Sequence, residues 1–196
     1  YNNNPAYLKK IADLFDWSNQ IDEFTKSLSG KNVLDAGCGA GRDTKEFLSH
    51  GFDVVGVDYS SEILKVVREI FPSAKFFEGS ILKMDFLKDK SFDGVWACAS
   101  VLHLKKIDLP KALSEFNRVL KENGKLFVSA KKGEGEEFVE DETGKRFFSY
   151  FTEDELKTFI EKADFKVTKV EVVQQKKVTG TGLTNWICVF AQKALE

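Results

Sequence analysis

Val33-Leu34-Asp35-Ala36-Gly37-Cys38-Gly39-Ala40-Gly41-Arg42-Asp43 decides the fold of this chain. The apolar run reads as a buried strand, the glycines as a tight loop, and Arg42 onward as the start of a helix. A second strand, Val54-Val55-Gly56-Val57, ends in the carboxylate of Asp58, about 20 residues beyond the loop. Together these parts make the βαβ unit that grips an adenosine-containing ligand. The spacing departs from that of a dinucleotide loop. A GxGxxG pattern needs its third glycine at position 42, but here it falls at Gly41 and Arg42 takes the slot. Asp35, just before the loop, would repel a pyrophosphate. It suits a ligand that carries a cationic group.

Outward from this unit, strands alternate with helices, which predicts a largely parallel sheet covered on both faces. Strands are expected near 32–36, 53–57, 74–78, 92–98 and 124–131. A helix over 42–50 ends at Gly51, and another is capped by Ser60 and stopped by Pro72. A further helix opens at Asp108 and Pro110 and runs to Gly124. Thr152-Glu153-Asp154-Glu155 fits a capping box, with a helix running to about Ala163. At the start, Leu8, Ile11, Leu14, Phe15, Ile21 and Phe24 fall near helical spacing, so residues 1–30 read as a helical cap. At the end, 165–175 and 184–193 are β-rich and joined by Thr179-Gly180-Thr181-Gly182, which reads as a hairpin. Residues 132–147 hold Glu134, Glu136, Glu137, Glu140, Asp141 and Glu142 among glycines. They read either as a solvated loop or as a lid, because they follow the carboxyl end of a strand.

The chain of 196 residues fits one domain, 1–196, with a hydrophobic share of 42% and a net charge of −2. Basic and acidic residues alternate, so nothing marks a general polyanion surface, and nucleic acid is a poor fit as partner. No apolar run spans a bilayer and no signal peptide is visible. The three cysteines, Cys38, Cys98 and Cys188, lack metal-ligand spacing. They read as reduced thiols of a cytoplasmic protein, and no metal is expected.

These residues resemble the class I S-adenosylmethionine-dependent methyltransferases. The likeness rests on the loop, on Asp58, on Phe92-Asp93-Gly94-Val95-Trp96-Ala97-Cys98-Ala99-Ser100-Val101-Leu102-His103, and on Gly124-Lys125-Leu126-Phe127-Val128-Ser129. Trp96-Ala97-Cys98-Ala99-Ser100 and Lys132-Gly133-Glu134-Gly135-Glu136 further resemble a bacterial group related to the tellurite-resistance methyltransferases. S-adenosylmethionine carries an ammonium and a sulfonium but no phosphate, which agrees with the reading of the loop. The resemblance implies a three-layer α/β/α Rossmann-like fold. Its seven-stranded sheet is mostly parallel, with an antiparallel C-terminal strand beside the fifth. It also implies methyl transfer to a small-molecule acceptor, with S-adenosylhomocysteine as product, by a monomer or homodimer.

By the same resemblance, Gly37, Cys38, Gly39 and Gly41 form the cofactor loop, and Asp35 with the Ala97 carbonyl holds the ammonium. Asp58 takes the ribose hydroxyls. Arg42 pairs either with the methionine carboxylate or with its own helix turn. Tyr59 and Ile81 flank the adenine. Ser80 stands where many relatives carry Asp, and a hydroxyl is the weaker acceptor. His103 is the candidate catalytic base. Lys131, Glu134, Glu136, Arg146 and Trp186 are candidates for contact with the acceptor. The Asn/Asp-Pro-Pro-aromatic motif of many nucleic-acid and protein methylating enzymes is missing after the fourth strand, which favours a small molecule. A binding module without catalysis, an RNA or protein methyltransferase and a nicotinamide-dependent oxidoreductase are the alternatives. The glycine spacing and Asp35 disfavour the last.

Overall fold

A computed structural model describes residues 15–141, 144–176 and 182–194 of the protein. The helix expected through Leu8, Ile11 and Leu14 therefore lies outside the described residues, as do Glu142 and all but the last residue of Thr179-Gly180-Thr181-Gly182. Helix α1 (Ser18–Ser27) buries Ile21 and Phe24, two of the positions picked out by helical spacing. The βαβ unit follows as β1 (Asn32–Ala36), α2 (Arg42–Ser49) and β2 (Asp53–Asp58). Helix α3 (Ser61–Ile70) starts where Ser60 Oγ accepts from the Ile63 N–H, the expected cap. Strands β3 (Lys75–Glu78) and β4 (Phe92–Cys98) come next. Every residue of β4 is buried, as expected of a central strand covered on both faces.

Helix α4 (Leu109–Val119) carries Pro110 in its first turn but stops five residues short of Gly124. The chain leaves the helix because Leu120 already pairs with Phe92 at the start of β5 (Leu120–Lys131). The Lys90 and Ser91 N–H groups hold the Arg118 and Val119 carbonyls, which closes that exit. The acidic stretch after β5 is folded as a hairpin of β6 (Glu136–Asp141) and β7 (Gly144–Ser149). Its cross-strand pair Phe138 and Phe147 meet edge to face at 5.2 Å. Helix α5 (Glu153–Glu161) opens on Thr152, whose hydroxyl accepts from the Glu155 N–H. Strands β8 (Phe165–Lys176) and β9 (Leu183–Lys193) then pair antiparallel.

The main sheet runs β3-β2-β1-β4-β5-β9-β8, and β9 lies antiparallel between β5 and β8. This is the Rossmann-like order implied by the resemblance. Under α1 and α2 the core centres on Trp96, stacked on Phe127 at 3.8 Å and flanked by Phe24 and Phe47. Chain direction reverses its spread at β1 and β4, so the crevice beyond their carboxyl ends is the natural ligand position. Among the described residues, no helix is long and apolar enough to cross a membrane.

Candidate functional site

The glycine loop joins the carboxyl end of β1 to α2, and its three glycines serve different purposes. A Cβ on Gly37 would stand 2.4 Å from Ser100 Cβ, and one on Gly41 would stand 2.6 Å from the Phe71 ring. All three sit at positive φ, and at Gly37 and Gly41 protein atoms also crowd the Cβ position. A Cβ on Gly39 would meet nothing within 4 Å. Gly39 therefore faces open space at the crevice, where a ligand can approach the backbone.

Four of the loop's amide hydrogens are spent within the protein. Gly37 and Cys38 both donate to the Val57 carbonyl, and Gly41 donates to the Cys38 carbonyl. Gly39 donates to Asp58 Oδ2 at 2.9 Å. A phosphate nest needs such N–H groups pointing outward, and these four do not. Cys38 packs among Ile63, Leu64, Val67 and Phe76. Burial, with help from the Asp35 and Asp58 charges, raises its thiol well above the ordinary range, so it is an inert spacer.

Asp58 closes the end of β2. Its Oδ2 accepts from Gly39 and its Oδ1 from the Ser60 N–H at 2.9 Å. A carboxylate offers about four lone-pair sites, so two backbone bonds fix the group and leave acceptor capacity on each oxygen. Ser80 lies beside it after β3, where the Gly79 N–H donates to the Asp58 carbonyl. The Ser80 hydroxyl accepts from the Leu82 N–H at 3.2 Å. Ile81 is half-buried, and Tyr59 is 83% exposed with its ring open to solvent.

Asp35 is 3% exposed and accepts from Thr44 Oγ1 at 2.7 Å. Burial, reinforced by the charge of Asp43, lifts its carboxyl to about 7. Asp43 holds the ion pair with Arg42, at 2.6 and 2.7 Å, and accepts from Trp96 Nε1 at 2.8 Å. Of the two roles open to Arg42, the structure shows pairing on its own helix turn, with Cys98 Sγ as a further acceptor at 3.4 Å. Asp35 is the buried acid to which that cation is not bound. The end of β4 completes this wall. Ala97 is buried, Ala99 sits at φ 54, and its N–H donates to Ser129 Oγ. This turn sets Ser100 against Gly37 with its Oγ buried and unpaired. Such an orphan at the crevice, beside the open space over Gly39 and the spare capacity of Asp58, fits a polar ligand seated there.

The second group of candidates gathers around one ring. Lys131 Nζ lies 3.9 Å from the Phe148 centroid, Arg146 Cζ 5.3 Å, and the His103 ring 4.9 Å. His103 Nδ1 bonds the Phe147 carbonyl at 2.9 Å, which makes Nδ1 the protonated nitrogen and Nε2 the basic one. Burial is the main force holding this imidazole below its ordinary range, and Arg146 and Lys131 add to it. Trp186 pairs with Lys131 across β5 and β9. Glu136 is spent on the hairpin hinge, accepting from the Lys106 N–H, with Ser149 Oγ 3.0 Å away. Glu134 is exposed. Sequence reading missed Ser100, Asp43, Thr44 and Trp17. Only Asp43 carried a local signal, an acid on the first turn of a helix beside an arginine.

Comparison with known proteins follows this geometry. Residues 33–124 match a family model described as "Methyltransferase domain". The chain is 33% identical over 114 residues to a demethylmenaquinone methyltransferase of Renibacterium salmoninarum, covering 58% of this chain and 46% of that protein. A solved SAM-dependent methyltransferase of Methanosarcina mazei superposes with a TM-score of 0.82 at 22% identity, covering 93% of this chain and 100% of that one. The Burkholderia thailandensis 1,6-didemethyltoxoflavin-N1-methyltransferase, solved with 1,6-didemethyltoxoflavin and S-adenosylhomocysteine, superposes at 0.75 with 22% identity, covering 97% and 82%. The structural likeness establishes the fold. The chain spans about half the length of most of the curated relatives it matches.

Proposed function

We propose that this chain transfers the methyl group of S-adenosylmethionine to a small-molecule acceptor and releases S-adenosylhomocysteine. The observation that carries it is the crevice at the carboxyl ends of β1, β2 and β4. There a glycine loop with four of its amides spent, the open face of Gly39, and two carboxylates of different character converge. Asp58 would accept from the ribose hydroxyls. Asp35, with the Ala97 carbonyl, would hold the ammonium directly or through water. Ser80, Ile81 and Tyr59 would border the adenine. When bound, the cofactor supplies an electrophilic methyl carbon on a sulfonium.

The protein's own share is binding, alignment and exclusion of water, and alignment alone can contribute about 7–11 kcal/mol. His103 Nε2 would take the proton that an O–H or N–H nucleophile gives up, while the Phe147 carbonyl holds the imidazole in that tautomer. The β6–β7 hairpin would act as a wall or lid over the acceptor. Lys131, Arg146 and Trp186 would line the acceptor side, with Glu136 securing the hairpin and Glu134 at the rim. The Trp96–Ser100 run and the Lys132–Glu136 run support a closer tie to the tellurite-resistance group. The buried free thiols of Cys38, Cys98 and Cys188 support a cytoplasmic location.

The test is turnover. Purified protein with methyl-labelled cofactor and a metabolite extract should transfer label to a small molecule, and His103→Gln should slow that transfer about 10²–10⁴-fold. Cofactor binding without transfer to any acceptor class would make the chain a binding module instead.

A further inference from the structure

Phe15, Asp16 and Trp17 run across the carboxyl edge of the main sheet. On one side the Arg42 guanidinium, directly after the glycine loop, lies 5.8 Å from the Phe15 ring centroid and 6.0 Å from that of Trp17. On the other side both rings meet Trp186 edge to face, at 5.7 and 5.6 Å, and Trp186 pairs with Lys131 at the end of β5. The segment therefore covers Arg42 and joins the cofactor flank of the crevice to its acceptor flank. A clasp of two hydrogen bonds ties it to the sheet. The Gln175 side chain of β8 pairs with the Asp16 main chain as a strand would: Nε2 donates to the Asp16 carbonyl, and Oε1 accepts from the Asp16 N–H. Helix α1 is anchored separately, by Gln20 to Glu171 and by Glu23 to Lys169. The three residues can thus come away from the sheet while α1 stays in place. The seam beneath them is imperfect. Trp17 and Trp186 are 2% and 3% exposed, yet the indole N–H of each is buried without a hydrogen-bond partner. Such donors have lost their hydration with no compensating bond, which weakens the closed seam relative to an opened one. A short clasp beside an under-satisfied seam marks a segment of low local stability.

We propose that Phe15–Trp17 is a latched strap that lifts to admit S-adenosylmethionine to the buried Asp35 and closes again over the bound cofactor, with the Asp16–Gln175 clasp as its latch. The assignment rests on the methyltransferase reading of the crevice and adds how entry to that site is controlled. Lifting breaks the clasp but gives both indole N–H groups to water, which offsets part of the cost of opening. Closing removes water from the Arg42 end of the crevice, where methyl transfer needs it excluded.

The experiment is stopped-flow tryptophan fluorescence, with S-adenosylhomocysteine mixed into ligand-stripped protein. A strap that must open first makes the observed association rate level off at high ligand concentration, at the rate of opening. Gln175→Ala removes the latch and should raise that plateau about tenfold, the scale of one net hydrogen bond. Gln174→Ala, the neighbour that bonds Asn185 instead, should leave the plateau unchanged. Amide hydrogen exchange read by NMR on the native protein needs no variant. The Asp16 and Trp17 amides should exchange about tenfold more slowly once S-adenosylhomocysteine is saturating. A rate that climbs linearly with ligand, a plateau that Gln175→Ala leaves in place or that Gln174→Ala raises equally, or exchange at Asp16 and Trp17 indifferent to saturation would overturn the strap with the cofactor reading intact. Failure of S-adenosylhomocysteine itself to bind would overturn both.

Discussion

At the scale of single residues, two carboxylates near the glycine loop do opposite work. Asp58 is fixed by the Gly39 and Ser60 N–H groups, so it is preorganised as an acceptor. Asp58→Ala should weaken S-adenosylhomocysteine binding by about 1.5–3 kcal/mol, and calorimetry on the folded variant reads this directly. Asp35 is buried with Asp43 close by, and its carboxyl is pushed up to about 7. Below that pH the empty site keeps its proton, and a cationic ligand must displace it. Above that pH the carboxylate is ready formed. Affinity for S-adenosylmethionine should therefore rise about tenfold between pH 6 and pH 8, the slope of one released proton. Asp35→Asn should flatten the profile. Both acids were legible in the sequence from their places at strand ends. Ser100 was not, because its meaning comes from Gly37, which is far away in the chain and 2.4 Å away as a virtual Cβ contact.

At the scale of elements, the junction of β1 and α2 separates binding from folding. Gly39→Val would project into open space at a φ of 49 that strains a β-branched residue, so it should abolish cofactor binding and lower stability modestly while the protein stays folded. Gly41→Val would strike the Phe71 ring and should instead lower the thermal midpoint or prevent folding. Circular dichroism and calorimetry on the pair distinguish the two. Equal behaviour would mean that the loop is wrongly assigned.

Strands and caps were readable here because Ser60 and Thr152 announce helices with local chemistry. The end of α4 was not readable. Leu120-Lys121-Glu122 suits a helix, and Gly124 looks like its stop, but sheet pairing of Leu120 with Phe92 overrides local preference. The β6–β7 hairpin was hidden for a similar reason. Its acids suggest a solvated loop, while its order comes from a Phe138–Phe147 contact, from Ser149 Oγ donating to the Leu104 carbonyl, and from the His103–Phe147 bond. Those bonds tie the hairpin to the segment after β4, which carries the candidate base.

At the scale of the whole molecule, the strand order places every cofactor candidate at one edge of one sheet. β1, β2, β3 and β4 end at Ala36, Asp58, Glu78 and Cys98, and the loops that follow carry the Gly39, Tyr59, Ser80 and Ser100 positions. The opposite requirement, rigidity, is met beneath that edge by the Trp96–Phe127 stack and its donation to Asp43. The alternation of strands and helices made this architecture legible. The acceptor side was less so, since Lys131, Arg146, His103 and Trp186 come from separate segments that only the β5–β9 pairing and the hairpin bring together.

The most direct measurement is isothermal titration of S-adenosylhomocysteine into ligand-stripped protein, with NADH as the comparison. Saturable binding of one nucleoside per chain, lost in Gly39→Val and absent with NADH, is the expected result. No heat with S-adenosylhomocysteine at millimolar concentration, or equal binding of NADH, would contradict it.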